Sequence, residues 1–426
     1  MIGAVMVAAG SGWCLYFAQA DLWPHAAMQA ILALVGCWVI VKARQGQFRN
    51  ATLIVSIGLF CILLVMLVFV DIPTPKAPRA LHHFFLAMGV GSFMLLKREP
   101  LWLRHGMPLL CFVAFYVFAR MPLSIDTPLA LPDAVRVPAG WVHNAIALSI
   151  MYVLLCLMLS DVDEHKAMSA SLRKGLYENQ FSLHYQPQLG EDGSICGAEA
   201  LLRWRHPTKG MVSPVEFIPV AENTGFILPL GHWVLGTACA QLVAWAKEPA
   251  TEHLSVAVNV SAQQFRQVDY VAQVLSVLER TGANPNRLKL ELTESMLVND
   301  VDDIIAKMTE LRANGVRLSL DDFGAGYSSL SYLKRLPLDQ IKIDKSFVND
   351  VMTKRKDAAI ARAIVKLAQE MELDVIAEGV ETQGQRDFLA GIGCLAIQGY
   401  LVSRALPIRE FDAFIASFSR TTHVAA

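Results

Sequence analysis

Residues 288–294 read LKLELTE and residues 317–322 read RLSLDD, separated by an amphipathic helical stretch at 299–313. A short β-rich run ending in carboxylates, a helix and a second such run make one strand–helix unit, and that unit recurs along the chain. Similar β-rich runs stand at 183–189 (LHYQPQL), 198–204 (AEALLRW), 255–261 (SVAVNVS), 341–347 (IKIDKSF), 374–380 (DVIAEGV) and 397–403 (IQGYLVS), with further helical stretches at 230–246, 356–371 and 382–390. Eight strands alternating with helices over about 250 residues predict an α/β, TIM-like (β/α)8 barrel. The alternative is an open doubly wound sheet. That fold usually carries a glycine-rich phosphate turn after its first strand, and none is present here.

The barrel leaves the front of the chain unexplained, and the charge distribution shows why. Of the 75 Asp, Glu, Lys and Arg residues, 15 fall in residues 1–160 and 60 in residues 161–426. This excludes a single soluble domain, a disordered chain and a fibrous repeat. The front carries net +5 and the back −6, and neither concentrates positive charge as a nucleic-acid-binding domain would, so no nucleic acid polymer is expected as partner. The eight cysteines form no CxxC pair and read as buried free thiols.

Apolar segments at 2–19, 27–41, 51–70, 84–96, 107–119 and 141–159 predict an all-α polytopic membrane domain of about six spans over 1–160, followed by a helical connector at 161–180 and the barrel at 181–426. The third and sixth segments are long enough outright. The second, fourth and fifth are shorter, with charged or aromatic flanks. Lys42, Arg44, Arg49, Lys97, Arg98, Arg104, Lys166, Arg173 and Lys174 follow alternate spans, which places both termini in the cytoplasm. Ala18-Gln19-Ala20 resembles a signal-peptidase site, but no basic residue precedes the first segment, which favours an uncleaved span.

This topology puts His25, His82, His83 and His143 at the outer side. Four imidazoles at one depth are candidate ligands for a haem iron or another transition metal in the membrane domain. Against this, adjacent His82 and His83 cannot both point inward from a helix, and histidine also sits comfortably at a lipid interface.

In a barrel of this class the site is built at the C-terminal strand ends. The polar residues there are Glu199, Asn259, Glu291, Glu294, Asp321, Asp322, Lys342, Glu378 and Gln398. Carboxylates among apolar neighbours are costly unless they find partners. A ring of acids with one amide oxygen suits two hard divalent ions, Mg2+ or Mn2+, that share Asp321 and act in phosphoryl transfer.

The segment Glu199-Ala200-Leu201 within AEALLRWRHP resembles the signature of the EAL-domain cyclic-di-GMP phosphodiesterases. The resemblance runs from about Leu183 to Leu406. It includes YQP (185–187), FIPVAENTG (217–225), NVS (259–261), ELTES (291–295), DDFGAGYSSL (321–330), IKIDKSF (341–347), AEGVET (377–382) and QGY (398–400). One small departure is Ala405, where the family commonly has proline. The resemblance implies that Glu199, Asn259, Glu291 and Asp321 hold a first metal and that Asp321, Asp322 and Glu378 surround a second. It implies that Lys342 positions or deprotonates the attacking water, and that Gln186, Leu201, Arg203 and Gln398 contact substrate. Glu294 matches the residue that fixes the loop Phe323–Ser329, which links metal binding to homodimer formation in the family.

The implied activity is hydrolysis of cyclic-di-GMP to linear pGpG at the bacterial inner membrane, with the barrel in the cytoplasm and the multi-pass domain in the lipid bilayer. A catalytically silent cyclic-di-GMP receptor is the alternative, although every metal and lysine position is kept. A transporter with a regulatory barrel is disfavoured by the few charged groups within the spans. A bifunctional cyclase is disfavoured because only about 20 residues lie between the last span and the barrel, with no GGDEF-like segment. The front domain is expected either to sense a signal or to anchor the enzyme passively.

Overall fold

The structure, a computed structural model, describes residues 2–97, 99–125, 127–294, 296, 300–324 and 333–424. The chain divides into two compact units, Met1–Glu164 and His165–Ala426.

Each of the six apolar segments of the first unit forms a helix: α1 (Ile2–Gln19), α2 (Trp23–Arg44), α3 (Phe48–Phe69), α4 (Phe84–Leu95), α5 (Leu101–Arg120) and α6 (Asp133–Tyr177). Five of them are long and apolar enough to cross a membrane. The fourth is shorter. Together with the 3-10 turn Leu81–His83 that precedes it, it covers Leu81–Leu95, or about 22 Å at the helical rise against a hydrocarbon core of about 30 Å. The outward faces carry large apolar side chains such as Leu34, Trp102, Trp141 and Leu148, an arrangement suited to lipid as solvent. A helix of similar composition, Ile227–Trp245, belongs instead to the barrel, where Val234, Ala238 and Leu242 pack into its core.

Small residues set the closest helix pairing. A Cβ on Gly36 would lie 2.8 Å from the Gly3 carbonyl oxygen, so α1 and α2 approach backbone to backbone. Between α3 and α4 the chain is fastened by buried charge. The Asp71 carboxylate accepts from the backbone N–H groups of Ala80 (3.0 Å) and Leu81 (3.1 Å) and pairs with Arg136 (2.9 Å). Arg79 donates to the carbonyls of Asp71, Phe118, Met121 and Leu123. This fastening holds the 3-10 turn that carries His82 and His83.

The second unit is a closed barrel of eight strands: β1 (Phe181–Leu189), β2 (Ile195–His206), β4 (Ser255–Val260), β5 (Leu288–Thr293), β6 (Arg317–Phe323), β7 (Gln340–Ile343), β8 (Asp374–Ala377) and β9 (Ala396–Gln398). Two short strands, β3 (Gly210–Val212) on β2 and β10 (Leu406–Pro407) on β1, lie outside the ring. Neighbours from β2 round to β9 are parallel, whereas β1 runs antiparallel to both β2 and β9. The expectation of eight successive strand–helix units is therefore corrected at its first step. Residues 190–194 form a tight turn closed by Gly190 N–H donating to the Ser194 carbonyl (2.8 Å), and a parallel crossover needs a dozen residues or more. The remaining strands stand where the β-rich runs place them. Val256, Val258, Leu290, Leu292, Leu318, Leu320, Ile341 and Ile343 join the buried core that the outer helices cover.

The α1–α2 approach generates a paired test. Gly36→Val is expected to destabilise the full chain in detergent by about 1–3 kcal/mol, whereas Gly12→Val, at a position with nothing within 4 Å, costs only helix propensity. Equal thermal melts of the two variants would contradict the close pairing.

Candidate active site

Strand register brings the polar residues of the barrel mouth together. Gln186 of β1 pairs with Glu199 of β2, Asn259 of β4 with Glu291 of β5, and Thr293 of β5 with Asp321 of β6. Along β2 the two-residue repeat puts Glu199, Leu201 and Arg203 on one face. Two consecutive acids would ordinarily face opposite ways, but the register between β6 and β7 shifts between Leu320 and Phe323. Within that bulge Asp322 takes a left-handed φ of 55°. On the far side of the ring, a Cβ on Gly399 would lie 2.1 Å from the Val380 carbonyl oxygen. Glycine there lets the turn after β9, beside Gln398, lie against the turn after β8, beside Glu378.

At the centre sits Lys342, with no exposed surface. Its Nζ is 2.5 Å from Glu291 Oε2, 2.5 Å from Glu378 Oε1, 3.4 Å from Asp321 Oδ1 and 3.6 Å from Glu199 Oε2. Glu199 is held from its other side, because Asn259 Nδ2 donates to Oε1 (2.5 Å) and Gln398 Nε2 to Oε2 (2.6 Å). Gln398 also donates to Gln186 Oε1 (3.2 Å) and accepts from Gln188 Nε2 (2.9 Å). Arg203, half-buried on the β2 face, donates to the Leu202 carbonyl (2.9 Å).

Four carboxylates thus surround one ammonium. Burial opposes the charge on Lys342, but the four acids together hold its pKa well above the ordinary lysine value. Burial raises Glu291 well above the carboxylate range, with Lys342 pulling the other way and the neighbouring acids adding to the rise. Burial likewise pushes Glu378 up to about 7. Burial also raises Glu199, yet the combined pull of Lys342, Gln398 and Asn259 leaves it below its ordinary value. Asp322 is pushed up to about 6 by burial, by Asp321 and by a hydrogen bond shared with Asp344.

Asp344 and Gln188 are site members that the strand-end reading passed over, although both lie inside quoted runs. Asp344 accepts from Ser346 N–H (2.9 Å) and caps the short helix Lys345–Asn349. Gln188 stands two residues from Gln186, on the same face of β1. Glu294 is buried one residue beyond β5. Of the loop it was expected to fix, Phe323 and Gly324 are described, whereas Ala325–Ser329 lie outside the described residues.

The donor set fits hard divalent cations. The acids outnumber the single ammonium, and Glu291 Oε1 is buried without a hydrogen-bond partner among the described residues. Asn259 spends its amide hydrogen on Glu199, which leaves its carbonyl oxygen for a cation. Among the described residues, however, no three His, Cys, Asp or Glu side chains stand together as a ready metal-ligand group, and the acids instead close on Lys342.

The histidines of the first unit do not converge either. His25 Nε2 lies 2.7 Å from the Leu129 carbonyl oxygen, and His143 packs against Trp13 and Phe84. His82 and His83 do come together, with ring centroids 4.0 Å apart, because they sit on a 3-10 turn rather than an α-helix. Both rings lie against Phe115.

The EAL domain pattern matches residues 169–405. The bifunctional diguanylate cyclase/cyclic di-GMP phosphodiesterase MucR of Pseudomonas aeruginosa is 43% identical over 260 residues, covering 61% of this chain and 38% of that protein. The cyclic di-GMP phosphodiesterase NbdA of the same organism is 44% identical over 252 residues, covering 59% of this chain and 32% of that protein. The chain therefore spans about a third of the length of these relatives. Among solved structures, the MucR phosphodiesterase in complex with c-di-GMP superposes with a TM-score of 0.56 at 43% identity, covering 57% of this chain and 99% of that one. The EAL enzyme Bd1971 bound to cAMP and cyclic-di-GMP superposes with a TM-score of 0.57 at 30% identity, covering 64% and 76%. With the pattern matched over more than half of its length and the barrel built to carry it, the chain belongs to the EAL domain family.

Proposed function

We propose that the barrel is a cyclic-di-GMP phosphodiesterase that hydrolyses one phosphodiester of c-di-GMP to give linear pGpG. The observation that carries this reading is the buried cluster of Lys342 with Glu199, Glu291, Asp321 and Glu378 beside Asp322, Gln398 and Arg203. The relatedness to c-di-GMP phosphodiesterases supports it.

Domains of this family use divalent metal ions. Here Glu199, Asn259, Glu291 and Asp321 would hold one Mg2+ or Mn2+, and Asp321, Asp322 and Glu378 a second. When bound, the two ions supply positive charge against the phosphodiester and the charge that develops on it. Asn259 and Gln398 fix the Glu199 carboxylate from both of its oxygens, so its direction is set before substrate arrives. Arg203, two residues beyond Leu201 on the same strand face, presents a forked donor set suited to a phosphate. Gln186 and Gln398, joined by a hydrogen bond of 3.2 Å, would contact the substrate. Lys342 holds the attacking water, whose oxygen bonds to phosphorus as the bond to the 3′-oxygen breaks and the leaving oxygen takes up a proton.

The apolar helices of the first unit anchor this barrel in the bacterial inner membrane, with the catalytic end in the cytoplasm. Two copies of the chain associate as a homodimer. α6 runs continuously from Asp133 to Tyr177 and joins the membrane helices to the barrel unit, a route by which the first unit would influence turnover.

Purified full chain in lipid nanodiscs with Mn2+ is expected to convert c-di-GMP to pGpG in multiple turnovers. Glu199→Ala or Lys342→Ala should lower kcat about 100-fold or more. Near-wild-type rates in either variant would refute the assigned roles, and binding without consumption would identify a receptor instead. Ca2+ replacing Mn2+ is expected to bind yet suppress turnover, because its longer and looser coordination fits the oxygens without the required geometry. Full activity in Ca2+ alone would count against the two-ion arrangement.

A further inference from the structure

Lys342 makes its two shortest ion pairs with acids from different proposed ligand groups. Glu291 belongs to the first cation's set and Glu378 to the second's, each at 2.5 Å, and Asp321, which both cations would share, lies at 3.4 Å. One ammonium therefore stands between both ligand sets, with no exposed surface. Without it, four acids would face one another inside a barrel mouth, an arrangement that is strongly unfavourable unless cations or protons neutralise it.

We infer that Lys342 is a resident stand-in cation that holds the carboxylate ligand set together until divalent ions arrive. Its ion pairs at Glu291 Oε2 and Glu378 Oε1 must then open for those oxygens to pass to the ions. This rests on the reading that the site takes divalent cations, and it adds an order of events.

Two divalent ions and an ammonium cannot all share the same carboxylate oxygens at 2.5 Å, since like charges that close in a poorly screened interior repel strongly. Lysine suits the exchange because its charge sits on a flexible four-carbon stem and donates in three directions. Once the cations take Glu291 and Glu378, the freed ammonium faces the place where water and phosphate meet. The empty enzyme thus keeps its lysine engaged, and only the loaded enzyme has it available for the reaction.

The test uses full chain in nanodiscs and two readings that need no turnover: the melting temperature in chelator and the Mn2+ affinity by calorimetry. Lys342→Met, which fills similar volume without charge, is expected to melt below wild type in chelator and to bind Mn2+ about tenfold more tightly or better, because no ion pair has to open. The double variant Lys342→Met with Glu378→Gln has the same net charge in the cluster as wild type and is expected to regain most of the chelator-state stability. If Lys342→Met melts as wild type does, or binds Mn2+ no more tightly, the inference is overturned. If Lys342→Met fails to fold, the double variant decides. Wild-type-like melting in chelator supports the charge role, and failure to fold makes the lysine a packing residue and overturns the inference. A wild type that binds no Mn2+ at all overturns the functional reading as well, so the two failures are distinguishable.

Discussion

The barrel of this protein is organised around one electrostatic constraint: several carboxylates must be buried together without flying apart. Lys342 meets it at the centre, and the surrounding architecture supplies the rest. Asn259 and Gln398 take up the two oxygens of Glu199. The β6 bulge turns Asp322 toward Asp344. Gly399 lets the strand ends that carry Glu378 and Gln398 close on each other. These devices are local departures from a regular sheet, and each stands within a few residues of an acid. The ordinary parts of the barrel, the alternating Val, Leu and Ile of β4 to β7, make a rigid frame on which the departures can be held.

Much of the site was legible because the cost of burying charge is itself a sequence signal. Glu199, Glu291, Asp321 and Glu378 stand among apolar neighbours, where isolated acids are unfavourable, so their clustering at strand ends already implied cations or mutual partners. The features that escaped depend on geometry that residue type does not encode. Asp344 reads as a helix cap, which it is, and its contact with Asp322 exists only because a bulge reverses the expected alternation. Gln188 reads as one more polar strand residue until register places it against Gln398. That Lys342 stands within 2.5 Å of both Glu291 and Glu378 could not be read from the residue list, since it depends on how the strands are placed around the ring.

The fold shows the same division. All eight barrel strands were legible from β-rich runs, yet the first strand enters against the others. The gap between LHYQPQL and AEALLRW is too short for a helical crossover, so chain length rather than composition carried that information. In the first unit, the apolar segments marked their helices correctly. The buried Asp71–Arg136 pair and the four carbonyl bonds of Arg79 fasten a polar turn that hydropathy alone does not describe. That turn brings His82 and His83 side by side, where an α-helix would have spread them apart, and sets both rings against Phe115.

The central claim is that this cluster delivers water to phosphorus. The most direct measurement is hydrolysis of c-di-GMP by the full chain in 18O-labelled water with Mn2+, followed by mass spectrometry of the nucleotide. The expected product is linear pGpG with one labelled oxygen in its terminal phosphate. Nucleotide that stays cyclic while bound, or a linear product without the label, would contradict it.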